Sequence, residues 1–155
     1  MPEDPFLTNL IGGWAGSCQT WFEPGVLADT SEVTGTFSLL LGGRMIRHTY
    51  EGMLCGEQRF GEAWLARNAV TGEYQASWID NHHMNFAVMF SVGQATEQGC
   101  SVLGSYDTHQ GQPWGWRTDY ELQGDDRLII TAYNIPPGGE PAKAIELVYG
   151  RVAAV

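Results

Sequence analysis

The chain has 155 residues, 43% of them hydrophobic, enough for one domain with its own packed core and no need of staples. Eighteen acidic residues against eight basic ones give a net charge of -10. That balance excludes a general nucleic-acid surface and disfavours docking on anionic lipid, since both need a basic face.

Residues 1–12 lack a basic start followed by an apolar run, so no secretory signal is expected. No stretch approaches the ~20 apolar residues of a membrane-spanning helix. Cys18, Cys55 and Cys100 are an odd, widely spaced set. They suit a reducing compartment in which thiols serve as small apolar fillers. A soluble cytoplasmic protein is the expectation. Twenty glycines and six tryptophans are the informative excess. Short alternating segments with glycine at bends and aromatics inside describe a closed antiparallel sheet.

In chain order, residues 5–11 suit one short helical turn, with Thr8 or Asn9 as cap and a barrel end to plug. Residues 14–22 form the first strand, ended by Glu23-Pro24-Gly25. Residues 29–41 alternate, with Val33, Gly35, Phe37 and Leu39 on one face. Gly42-Gly43 turns the chain into a strand over 44–52, where Arg44, Ile46, His48 and Tyr50 share a face. A turn at 53–56 leads to a strand over 57–68, with Phe60, Glu62, Trp64 and Ala66 together. The next hairpin gives a strand over 73–80 carrying Tyr74, Ala76, Trp78 and Asp80 on one face.

Asn81-His82-His83 is a corner, and the chain returns over 84–92. Residues 93–99 read as a polar loop, 100–106 as a short strand and 107–112 as a long exposed loop. Residues 113–122 alternate Trp114, Trp116, Thr118 and Tyr120. A turn at 124–126 precedes a strongly β-forming run over 127–135. The segment PPGGEP cannot lie inside a strand or helix, and 143–152 closes the chain. About ten strands joined mostly by hairpins, each with an apolar face, predict one all-β antiparallel barrel over residues 1–155.

Gly12-x-Trp14 on the first strand and Arg151 on the last resemble the Gly-x-Trp and closing arginine of lipocalin-like (calycin) barrels. A guanidinium over an indole face contributes roughly 0.5–2 kcal/mol and would close one end. Over nearly the whole chain, LIGGWAG, TSEVTGTFSLLLGGRMIRHTYEG, WIDNHHMNFAVMF, GWRTDYEL and the run from LIITAYNI to AIELVYGRV resemble a bacterial domain-of-unknown-function family, the fifteen-seventy-nine family. That resemblance implies a calycin-like barrel and supplies neither catalytic residue nor ligand. Nitrobindin-type haem barrels are of similar size and use an axial histidine late in the chain. Here the last histidine is His109, in a loop, and no cofactor is expected.

Three groups of residues suggest chemistry. Asp80, His82 and His83 crowd one corner, and Asp beside His sets a tautomer or brackets a proton. A metal there needs a third donor, and His48 is the one obvious candidate; a purely polar corner explains the same residues. Arg44, His48 and Tyr50 would suit an anionic head group if they face inward, or an internal polar network that fixes register. Trp114, Trp116 and Tyr120 can wall a cavity or fill a core. Glu62 and Glu146 would have raised pKa values if buried among their apolar neighbours.

The expected function is binding of a small, mostly apolar molecule in the barrel lumen. Trp64, Trp78 and Trp116 would line it, His48, His83, Tyr50 and Arg44 would anchor it, and Asp80 and His82 would stand at its mouth. The alternative is a small-molecule enzyme with a buried His or Glu as general base. A third reading is a solid barrel that pairs with a second copy, and a homodimer is compatible with all three.

Overall fold

The computed structural model describes residues 4–83, 85–109 and 111–153. A short helix, α1 (Pro5–Leu10), precedes ten strands: β1 (Gly12–Glu23), β2 (Val26–Leu40), β3 (Met45–Leu54), β4 (Glu57–Arg67), β5 (Tyr74–Asp80), β6 (Met89–Ala95), β7 (Gly99–Tyr106), β8 (Trp114–Gln123), β9 (Arg127–Ile135) and β10 (Ala142–Arg151). Each strand pairs antiparallel with the next, and β10 pairs with β1 to close the barrel. Closure removes every sheet edge.

Period-two alternation decides what lies inside. Register then carries one face around the wall, because paired residues point the same way. Phe37 pairs with His48, His48 with Ala63, Ala63 with Trp78 and Trp78 with Met89. All five point inward, and small Ala63 leaves room for the rings on either side.

One end is sealed. Asp4 caps α1, its carboxylate accepting the Leu7 N–H at 3.2 Å, while Pro5 opens the helix. The cap is therefore not Thr8 or Asn9; the Thr8 hydroxyl instead donates to the Asp4 carbonyl at 2.9 Å. Leu7 and Leu10 bury their side chains in the core, and Trp14 Nε1 donates to the Leu10 carbonyl at 2.8 Å. Arg151 lies over the Trp14 ring at 4.3 Å. It also donates to the carbonyls of Asn9 at 2.6 Å, Ile11 at 2.9 Å and Asp125 at 2.7 Å. The expected stacked pair is present, and it clamps the plug to the barrel.

Both ends of β6 differ from expectation, and β2 begins at Val26, before the expected residue 29. The segment 93–99 is not all loop: Gly93, Gln94 and Ala95 belong to β6 and pair with Val102, Ser101 and Cys100. Gly93 permits this, because a Cβ there would strike the Ser101 carbonyl. Conversely, β6 begins at Met89, not near residue 84. Asn85 and Phe86 have φ values of 46° and 65°, which belong to a turn; Met84 lies outside the described residues.

Candidate functional site

The polar centre of the barrel is built from β3, β4 and β5. Asp80, at the end of β5, has a fully buried side chain. Its Oδ1 accepts the backbone N–H groups of His82 at 2.6 Å and His83 at 3.0 Å, and stands 3.2 Å from His83 Nδ1. Its Oδ2 accepts the Tyr50 hydroxyl. Burial works to raise its pKa. The hydrogen bond and charge of His83, then the Tyr50 hydroxyl and the His82 N–H, outweigh that and hold the carboxyl well below its usual range. Asp80 thus ties the corner together. The Tyr50 hydroxyl also accepts Trp78 Nε1 at 2.8 Å, and burial followed by Asp80 pushes its own pKa up.

Arg59 joins this network from β4, 3% exposed. Nη1 donates to Cys18 Sγ at 3.2 Å, Nε is 3.9 Å from Asp80 Oδ2, and the guanidinium lies 5.3 Å from the centre of the Tyr50 ring. His48, from β3, stacks on Phe37 with centroids 4.2 Å apart, and its Nε2 is 3.1 Å from the Tyr149 hydroxyl. Burial first, and the charge of Arg59 second, drive the His48 pKa down to about 3. The imidazole is neutral at physiological pH.

His48, Tyr50 and Arg59 border a cavity of about 60 Å³ inside the barrel, around which polar Ser91 and Thr118 are interspersed with apolar Ala63, Ala76, Val102, Ile130 and Leu147. Trp78 and Trp116 stack at 5.4 Å and 18° above it. Beyond them, at the end opposite α1, a second hollow of about 140 Å³ is lined by Trp21, Phe22, His83, Tyr106 and Asn134 as well as the same two tryptophans. The tryptophan pair is the partition between lumen and mouth.

The structure brings His48, Tyr50, Trp78, Asp80, His83 and Trp116 into one region, with His83 beside both tryptophans at 5.7 and 6.1 Å. It sets three expected residues apart. Trp64 lies outside, 46% exposed, its Nε1 donating to Glu62 Oε1 at 2.6 Å. Both faces of β4 carry apolar residues, and pairing with β3 turns Ala63 inward and Trp64 outward. Arg44 is exposed in the turn before β3, at the plugged end beside Arg67 and Gly43. His82 points to the rim, 4.0 Å from Glu57. Glu62 and Glu146 face outward, paired at 2.8 Å with Arg47 and Lys143 respectively. Trp116 and Tyr120 are buried, as a cavity wall or core requires, and Trp114 is only partly covered. Among the described residues no three His, Cys, Asp or Glu side chains cluster as metal donors, so His48 does not complete a set with Asp80 and His82.

Arg59, Cys18 and Tyr149 complete the interior, and the sequence reading did not select them. The available signal was spacing: Arg59, Gly61 and Ala63 share a face, and two small residues beside an arginine leave room for Tyr50 and His48 on the neighbouring strand.

A closed ten-stranded antiparallel barrel with a helical plug, and a polar cluster under a tryptophan pair, defines the class of this protein. Residues 2–151 match the family described as "Protein of unknown function (DUF1579)", and the chain belongs to that family. Among solved structures it is similar to Rv2717c from M. tuberculosis, with a TM-score of 0.67 and 14% identity, covering 98% of this chain and 100% of that one. At that identity the likeness is one of fold. No curated protein matches the chain.

Proposed function

We propose that this protein binds a small, mostly apolar molecule inside the barrel, entering past His83 and the Trp78–Trp116 pair. The observation that carries this reading is the unfilled lumen beneath that pair. Protein interiors are close-packed, and eight-stranded barrels commonly fill with side chains. Here about 60 Å³ stays open, whereas one water needs only ~10–15 Å³. The walls combine aliphatic surface with a few placed polar groups, the usual make-up of a ligand site.

Size limits the occupant. Benzene fills a cavity of about 150 Å³, so the lumen takes a shorter group of a few heavy atoms. A larger body extends into the mouth. Acid–base catalysis fits the site less well. His48 is held near a pKa of 3, and Glu62 and Glu146 are outside in ion pairs. A general base works best with a pKa near the operating pH.

Native mass spectrometry of the purified protein, together with titration of its tryptophan fluorescence by small apolar molecules, tests the reading. Retained mass or saturable quenching, abolished by Ala63→Leu, supports it. No retained molecule and no saturable change with any probe rejects it.

A further inference from the structure

The geometry points to a small monocarboxylate as the occupant of the lumen, its carboxylate on Arg59 and its aliphatic body against Ala63, Ala76, Val102 and Ile130. This inference rests on the lumen-binding reading above and names the chemical class of the ligand.

The argument begins with unequal satisfaction of two buried partners. A guanidinium carries five N–H donors, and an ionised carboxylate offers about four acceptor positions. Asp80 accepts from the Tyr50 hydroxyl and two backbone N–H groups, and His83 Nδ1 stands within hydrogen-bonding distance. Four donors thus surround Asp80, three at Oδ1 and the Tyr50 hydroxyl at Oδ2. Arg59 is not so placed. Among the described residues its single hydrogen bond runs from Nη1 to Cys18 Sγ, and sulfur is a weak acceptor. The 3.9 Å between Nε and Asp80 Oδ2 is an ion pair beyond hydrogen-bond reach. A side chain 3% exposed to solvent therefore keeps donors in reserve, and it borders the cavity. Among the described residues the buried side-chain nitrogen or oxygen without a partner is Arg117 Nε, so the unbonded Arg59 nitrogens keep some open surface, and as Arg59 lines the cavity an acceptor there can reach them.

Shape and charge narrow that acceptor. The fixed fork of a guanidinium matches the two oxygens of a carboxylate. The other polar groups lining the cavity, His48, Tyr50, Ser77, Ser91, Thr118 and Tyr120, are neutral, while the carboxylate beside Arg59, that of Asp80, stands 3.9 Å from Nε and outside the lining. Ala63, Ala76, Val102 and Ile130 also line the cavity and suit a hydrocarbon group, which a bare oxyanion such as phosphate lacks. The volume of about 60 Å³ admits only a few heavy atoms.

Calorimetry on the full chain with sodium acetate, acetamide and ethanol, each small enough for the lumen, tests this. Acetate should bind at least about tenfold more tightly than either neutral analogue. Nuclear Overhauser contacts from the labelled acetate methyl should reach the methyl groups of Ala76 and Val102. Arg59→Met should erase the preference, and Arg59→Lys should retain part of it. If Arg59→Met does not fold, the wild-type preference and its contacts still decide. Ethanol or acetamide binding in the lumen as tightly as acetate overturns the carboxylate assignment and leaves the binding reading standing. An acetate preference with contacts outside the lumen also overturns it. Failure of all three probes to bind overturns both.

Discussion

The Tyr149 hydroxyl meets His48 Nε2 at 3.1 Å, joining the last strand to the third across the barrel, directly over Gly35. A Cβ at Gly35 would lie 2.5 Å from the Tyr149 oxygen and 2.9 Å from His48 Nε2. Glycine on β2 is thus what lets this hydrogen bond form. Gly35→Ala should push the two rings apart and cost about 1–3 kcal/mol, the usual range for overpacking a core. Gly13→Ala, whose added carbon would meet only Val152 at 3.7 Å, serves as the control. Urea melts of the two variants should separate clearly; equal midpoints would show that Gly35 is not constrained by the pair.

The same histidine sets a pH dependence. In the unfolded chain its pKa is about 6.5, and in the barrel it is about 3. As pH falls between those values the unfolded state takes up a proton that the native state refuses. Stability therefore falls with decreasing pH, by up to about 1.4 kcal/mol per pH unit for one proton. Asp80 acts lower down: its folded pKa is depressed, so its contribution is present above the ordinary carboxylate range and is lost as pH drops through and below it. Between about pH 6 and 4.5 the histidine effect stands apart from that of Asp80. His48→Gln should flatten the slope of unfolding free energy there by about 1 kcal/mol per unit. Parallel slopes for variant and wild type would refute the buried neutral imidazole.

At the sealed end, Arg151 carries both a ring contact and three carbonyl hydrogen bonds. Arg151→Met removes the donors and keeps an apolar stem over Trp14. A loss of about 2–4 kcal/mol is expected from the cation–π contact and the orphaned carbonyls together. Amide exchange should quicken first in α1 and at Trp14, whose anchors are those carbonyls and the Leu10 oxygen. Uniform quickening over all strands would mean that Arg151 supports the barrel and not the plug.

The barrel was legible because its signals are local. Alternation in β2, β3 and β8, hairpin spacing, and Gly12-x-Trp14 paired with Arg151 each survive in a few residues of sequence. The shared face of His48 and Tyr50 was legible for the same reason. Which face points inward is a collective property of register, and β4 shows the difficulty. Phe60 and Trp64 make its outer face look like a core, while the inner face holds Arg59, Gly61 and Ala63. A buried arginine among small residues has no local sequence signal of burial. Its partners, Cys18, Tyr50 and Asp80, come from three other strands. The crowding at Asp80, His82 and His83 was legible, but its use was not: two of the bonds to Asp80 come from the backbone of its own turn.

The Trp78–Trp116 stack makes the last prediction, because it is the one barrier between mouth and lumen that both hollows share with Met89. Trp116 is 6% exposed, and its truncation to Ala should cost about 3–5 kcal/mol. The same change should merge the two hollows into a cavity large enough for an aromatic ring, since benzene needs about 150 Å³. Trp116→Ala should then bind benzene, with saturable quenching of the remaining Trp78 and a raised melting temperature as benzene is added. Wild type should show neither effect at the same concentration. Trp78→Phe keeps the partition and deletes only the indole donor to the Tyr50 hydroxyl. It should cost about 1–2 kcal/mol and leave benzene excluded. If benzene bound wild type and Trp116→Ala equally, the stack would not be a barrier, and ligands would reach the lumen by another route.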